Sequence, residues 1–253
     1  MTQPKQAAAL AAPAQPKSDL LNDWSLRQES AAAELEPNAW RKTALTTSII
    51  GLLFVALYVI SYYLLARTPL GNASDAELIA YYGDGANLTL TLAGMVVMPF
   101  VGIFFLYFVL LLRATSRATG IRASRVLANA QLATGTIFVA MLFVATAALI
   151  ATPVGLQYAN MQTDPVAARI LPLLGMTVLL GFGMRMASMF VITSSSIGRA
   201  TGLIPSWFAY VGYAVGIVLL LAYAISAWFA LLFPAWVLAV CFIMLVHRSR
   251  TMR

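Results

Sequence analysis

From Ala44 onward the chain alternates long apolar runs with short polar breaks. Four runs are clean: Ala44 to Ala66, Leu88 to Leu112, Val126 to Ile150 and Ile170 to Ser194. A hydrocarbon core about 30 Å thick takes about 20 apolar residues as a helix, so each run predicts one crossing. The fifth region, Trp207 to Val246, is 40 residues without a charge. As one helix it would measure about 60 Å, twice the hydrocarbon thickness, so it predicts a hairpin. The turn is expected near Ala227 to Phe229, with Pro234 in the first turn of the returning helix, where a missing N–H costs little. The expected fold is an all-α polytopic membrane bundle of six transmembrane helices at about 44–66, 88–112, 126–150, 170–194, 207–226 and 230–246. Residues 1–43 form an N-terminal tail and residues 247–253 a basic C-terminus.

The breaks carry start and stop signals. Ser74-Asp75-Ala76-Glu77 has the spacing of a capping box and predicts a short surface helix through Leu78, Ile79, Tyr81 and Tyr82, stopping at Gly83-Asp84-Gly85. Its tyrosines suit the headgroup layer, as do Tyr62, Tyr63, Trp207, Trp228 and Trp236. This helix is either a lid packed on the membrane or a lid over a ligand. Asp164-Pro165 reads as an N-cap followed by proline at the first helical position, so the fourth helix is expected to begin before the membrane. Pro99 and Pro172 should kink the helices that contain them.

Composition agrees with the pattern: of 253 residues 61% are hydrophobic and 10% charged, against about one-quarter charged in soluble domains. The first 43 residues show no short apolar core with a cleavage site, so a removed secretory signal is not expected. One cysteine, Cys241, and one histidine, His247, cannot supply a disulfide, a bis-His haem or a zinc set. No metal or cofactor is expected. The excess of 16 Lys/Arg over 9 Asp/Glu sits at helix ends and not in a solvated patch, so nucleic acid is not an expected partner.

With six spans and the N-terminus inside, thirteen basic residues fall on the cytoplasmic side and only Arg67 and Arg169 outside, with Arg185 left within a helix. That is the asymmetry of a chain with both termini cytoplasmic. In the tail, Leu21, Trp24, Ala31 and Leu35 recur at helical spacing between Ser18 and Glu36, in a segment of net charge −4. It reads either as disordered or as a weak acidic helix attracted to the basic inner loop formed by Arg113, Arg117, Arg122 and Arg125, to which Arg199 adds. Arg117-Ala118-Thr119-Gly120 returns as Arg199-Ala200-Thr201-Gly202, each at an inner turn, and suggests a duplicated helical hairpin.

No acid lies within a span, which weighs against proton coupling and intramembrane hydrolysis. Arg185 is the informative residue. It either snorkels to carbonyls or headgroups, or heads an anion or lipid-headgroup site continuing through Ser188, Thr193 and Ser194 to Ser196. Asn129, Gln131, Thr134 and Thr136 either join helices or contact substrate. Gly212 and Gly216, with Ala209, form a small face for close helix packing, within the chain or between two copies.

Asp75 to Tyr82 after a first span, the Arg-rich turn from Arg113 to Arg125, and Gly202-Leu203-Ile204-Pro205-Ser206-Trp207 together resemble multi-pass proteins of high-GC actinobacteria of the DUF4386 type. The resemblance covers about residues 44 to 246 and implies a bacterial plasma membrane and six helices. It brings no activity with it. The expected function is a non-enzymatic accessory or lipid-interacting component, with membrane lipids and a second copy or another membrane protein as partners. The other reading is a small transporter of an anionic or lipid-like solute using Arg185.

Overall fold

The computed structural model describes residues 39–69, 73–121, 123–221 and 227–250, with side chains from Lys42 onward except those of 227 and 247–250. The acidic tail segment and Arg122 therefore lie outside the described residues. Every regular element among those residues is helical. The order is α1 (Ala39–Leu65), α2 (Asp75–Gly83), α3 (Gly85–Ala118), α4 (Arg125–Ala159), α5 (Pro165–Met176), a π segment (Thr177–Gly183), α6 (Met184–Ala200), α7 (Ser206–Leu221), a 3-10 turn (Ala227–Leu231) and α8 (Leu232–Arg250).

Five helical stretches are long and apolar enough to cross a membrane: Lys42–Leu65, Gly85–Ala118, Arg125–Ala159, Pro165–Ala200 and Trp228–Val246. Helix α7 is apolar but shorter, at 16 residues. A helix in water buries one stripe and wets the other. Here both faces are apolar. Val96, Phe100, Ile103, Tyr107 and Leu110 form an exposed stripe on α3, while Met98, Val101, Phe105, Phe108 and Leu112 are buried on its other side. In water such a stripe would be an aggregation surface; in a bilayer it is the lipid face.

Several helices outrun the expected spans for a local reason. Asp84 closes α2 and opens α3, its carboxylate accepting from Ala86 N at 2.9 Å, so α3 starts at Gly85 and not at Leu88. Asp164 caps α5 in the same way, accepting from Val166 N at 3.0 Å, with Pro165 at the first helical position. Helices α3, α4 and α5 run through Pro99, Pro153 and Pro172. Five residues after Pro172 the fourth long helix changes to the π form over Thr177–Gly183, a widening that shifts the register of everything after it.

The core is aromatic. Phe105 of α3 meets Phe54 of α1 at 4.9 Å between ring centres, Phe138 of α4 at 5.3 Å, Phe190 of α6 at 5.1 Å and Phe233 of α8 at 5.5 Å. Most of these pairs are edge-to-face, the arrangement that ring quadrupoles favour. The two ends of the bundle differ in charge. Lys42, Arg113, Arg117, Arg125 and Arg199 lie at or near helix ends on one side, and the described acids, Asp75, Glu77, Asp84 and Asp164, all lie at the other, on and around α2. Hydrogen bonds show which helix segments lie together at each end. Thr47 near the start of α1 bonds Thr115 near the end of α3 at 2.9 Å, and Ser48 donates to Cys241 O of α8 at 3.3 Å. At the opposite end Tyr58 donates to Ala230 O at 3.2 Å.

The repeated Arg-Ala-Thr-Gly motif has a local explanation. Gly120 and Gly202 have φ of 76° and 69°, the left-handed form, and return their N–H to Arg117 O and Arg199 O at 3.1 and 3.3 Å. Glycine adopts this stop at little steric cost. The glycine of the repeated motif thus ends both helices in the same way.

Candidate functional site

Arg185 sits two residues beyond the π segment, half-buried, and its guanidinium donates back to Gly181 O inside that segment. Within the π segment the backbone bonds span five residues, as from Met184 N–H to Leu179 O. The hydroxyls expected to extend an anion site from Arg185 are directed elsewhere. Ser188 donates to Gly216 O of α7 at 2.7 Å. Thr193 donates to Met189 O and Phe190 O of its own helix, at 2.7 and 3.0 Å. Ser194 accepts from Gln131 Nε2 of α4 at 2.8 Å, and Ser196 meets Tyr213 OH at 3.1 Å. Arg185 is thus not joined by Ser188, Thr193 or Ser194 around one ligand-sized space; Ser188 and Ser194 bond neighbouring helices and Thr193 bonds its own.

Gly212 and Gly216 face α6 of the same chain. A Cβ on Gly212 would overlap Ser195 Oγ and approach Trp236 Nε1 to 3.1 Å; one on Gly216 would stand 2.5 Å from Ile192. The small face is therefore used inside the bundle. Gln131 joins α4 to α6, whereas Thr134 and Thr136 bond carbonyls of their own helix. Trp236, expected at an interface, is buried at 3% exposure. The reason is its place beside Gly212 and Phe190, whose missing side chain and flat ring leave room for an indole.

Among the basic positions, Arg117 and Arg199 occupy last turns of α3 and α6, and Arg125 begins α4; all three are exposed. Arg113 is half-buried one turn further in. Arg199 lies over the Tyr210 ring at 5.2 Å, which holds its guanidinium at the mouth of the α6–α7 turn. Cations in a helix's last turn face its partial negative charge, so Arg117 and Arg199 are placed favourably before any ligand arrives.

At the far end α2 forms a clamped lid. The capping box is complete: Ser74 N donates to Glu77 Oε2 at 2.7 Å and Glu77 N to Ser74 Oγ at 3.3 Å. The Ser74 N–H, and after it the Ser74 hydroxyl, hold the Glu77 carboxyl below its usual range. Arg169 of α5 reaches across to Asp75 at 2.6 Å and to Ala73 O at 3.0 Å. Leu78 and Tyr82, four residues apart on one helix face, bury themselves against Ala168. Tyr82 is hence a packing residue and not a headgroup anchor, and burial, with Tyr81 beside it, pushes its phenol up to about 12. Between the long helices lies an apolar cavity lined by Tyr58, Tyr62, Met98, Leu142 and Met176 among others, with about 30 Å³ of free room. Among the described residues no three His, Cys, Asp or Glu gather as metal ligands.

No family model, curated protein or solved structure matches this chain.

Proposed function

We propose that the chain is a multi-pass protein of a bacterial plasma membrane, crossing six times with both termini cytoplasmic, and that it acts as a non-enzymatic, lipid-interacting accessory component. The observation that carries this reading is the charge division of the bundle: Arg117, Arg125 and Arg199 exposed at one end, all described acids at the other. A cytoplasmic leaflet is anionic and attracts surface Lys and Arg by about 1 kcal/mol each. The sixth crossing is supported by geometry, because α7 starts beside Thr201 at the basic end whereas Ala230 reaches Tyr58 near the lid end. An aromatic centre built on Phe105 suits a scaffold better than a path for polar solutes. The family resemblance is part of this proposal.

The test is the lipid that copurifies in mild detergent. Wild-type protein should retain anionic lipid, and the triple variant Arg117→Gln, Arg125→Gln, Arg199→Gln should lose most of it while keeping its fold. Equal retention by both would remove the reading. Topology is tested separately by single cysteines at Ala76 and Ser249, which should label from opposite sides.

A second reading, transport of an anionic or lipid-like solute, rests on the half-buried Arg185 at the end of the π segment. Under it, Arg185→Leu would abolish flux in proteoliposomes; under the leading reading wild-type protein shows no flux to abolish.

A further inference from the structure

At the basic end the bundle encloses a cavity of about 10 Å³, lined by Ser116, Gln131, Ser194, Trp236 and the apolar side chains of Leu112, Leu203, Ile204 and Val240. That is about the room one water molecule needs, given two to four polar partners. Three helices supply them, through Ser116, Gln131 and Ser194. Gln131 Oε1 and Trp236 Nε1 are buried with no hydrogen-bond partner among the described residues, their side chains 1% and 3% exposed. Buried polar atoms in proteins are nearly always paired, and leaving one bare is costly. Turning the Gln131 amide over would exchange one unpaired end for the other, because Ser194 takes only one of them.

The hydroxyls complete the set. Ser116 gives its proton to Leu112 O at 2.9 Å, which leaves its oxygen free to accept. Ser194 accepts from Gln131 Nε2 and keeps its own proton to donate. The lining thus offers two acceptors, Gln131 Oε1 and Ser116 Oγ, and one donor, Ser194 O–H, while Trp236 closes one wall. We propose that this cavity is a built hydration site: one water donates to Gln131 and Ser116, accepts from Ser194, and ties α3, α4 and α6 together against the Trp236 wall of α8. Neither a cation nor an anion has a counter-charge in the lining, so a neutral molecule that both donates and accepts is the fitting occupant. Leu203 and Ile204, buried residues of the α6–α7 turn, close the site toward the basic end.

The test is X-ray radiolytic footprinting of the full chain in nanodiscs in ¹⁸O-labelled water, which oxidises side chains beside bound water as well as those on the surface. Trp236 should take up label despite its burial, Phe105 should not, and the exposed Trp228 serves as the positive control. Label at Trp236 should fall to background in Gln131→Leu, with Trp228 unchanged. A wild-type Trp236 that stays unlabelled at doses that label Trp228, or label at Trp236 indifferent to Gln131→Leu, overturns the proposal. Should Gln131→Leu fail to fold, Ser116→Ala removes the second acceptor and should lower the label in the same way.

Discussion

The end of the bundle that carries Arg117, Arg125 and Arg199 is joined by hydroxyl and amide side chains, whereas the lid half sets close-packed carbon and an ion pair beside the bonds of Tyr58 to Ala230 O and Ser61 to Gly94 O. At the basic end Thr47 meets Thr115, Gln131 meets Ser194, and Ser188 reaches a carbonyl of α7. In the lid half Gly175 lets α5 lie against the backbone of α4, and Leu78 and Tyr82 cover Ala168. Lipid tails are as apolar as a leucine, so burial alone does not drive helices together inside a bilayer; close packing and hydrogen bonds do. The two halves show these two forces in different proportions, and substitutions can separate them.

The largest loss is expected where packing has no slack. A Cβ on Gly175 would stand 2.6 Å from Ala145 O, a backbone atom that moves only if α4 moves. Overpacking of this kind costs about 1–3 kcal/mol, and Gly175→Ala should fall near the top of that range. At the basic end the obstacle to Gly212→Ala is the Ser195 side chain, whose Oγ is buried with no partner among the described residues. Gly212→Ala should therefore cost less, and adding Ser195→Ala should recover part of the loss because little is given up with that hydroxyl. Thermal midpoints in one detergent compare the three variants. Equal losses at both glycines, or no recovery, would mean that the halves do not differ in this way.

Next in size is the amide. Interhelical hydrogen bonds within membranes average about 0.6 kcal/mol and reach about 1.7. Gln131→Leu removes the bond to Ser194 at a fully buried site and should lie at the upper end, near 1.5 kcal/mol. Unfolding in a denaturing detergent measures it, and a loss indistinguishable from zero would reduce the polar seam to decoration.

How much of this was legible in the residues follows the range of each signal. Capping boxes and Asp-Pro starts act over three or four residues, and Ser74 to Glu77 and Asp164-Pro165 behave as read. Hydropathy marked the apolar runs, but it averages over a window and cannot see a change from α to π hydrogen bonding, so Thr177–Gly183 passed as ordinary helix. A helix face read alone puts Arg185 at the head of a serine-lined site. Once α4 and α7 are in place, Ser194 and Ser188 face them. Trp236 and Tyr82 read as interface residues by type alone; which neighbours bury them depends on pairings between distant segments. The partner of Gln131 lies 63 residues away, beyond any local pattern.

A smaller effect belongs to Thr47 and Thr115. Their hydroxyls lie 2.9 Å apart, yet each also has a carbonyl of its own helix, Thr43 O at 2.7 Å and Leu111 O at 2.8 Å. Losing one partner leaves the other hydroxyl still satisfied. A double-mutant cycle of Thr47→Val and Thr115→Val should give a coupling of about 0.5 kcal/mol, well below the effect at Gln131. A coupling as large as the Gln131 loss would show that the hydroxyl pair is the stronger link between helices.

The smallest effect is at the lid and depends on pH. Glu77 is exposed and its carboxyl is held below its usual range, first by the backbone N–H of Ser74 and then by the Ser74 hydroxyl. A group whose pKa is lower in the folded state adds stability above its unfolded pKa and loses it as pH falls through the folded value. The capping box should thus be whole at neutral pH and open on acidification below the ordinary glutamate range, with α2 fraying from Ser74. Asp75 and Asp84 flank the same helix, so the contribution of Glu77 is isolated with Glu77→Gln, whose neutral amide keeps one acceptor but no charge. The Ser74 and Leu78 amide NMR shifts should titrate with acid in the wild type and stay flat in the variant, while Tyr82, packed on Ala168, holds the far end of α2 in both. Titration of equal size in Glu77→Gln would show that the capping carboxylate is not the source of the pH response.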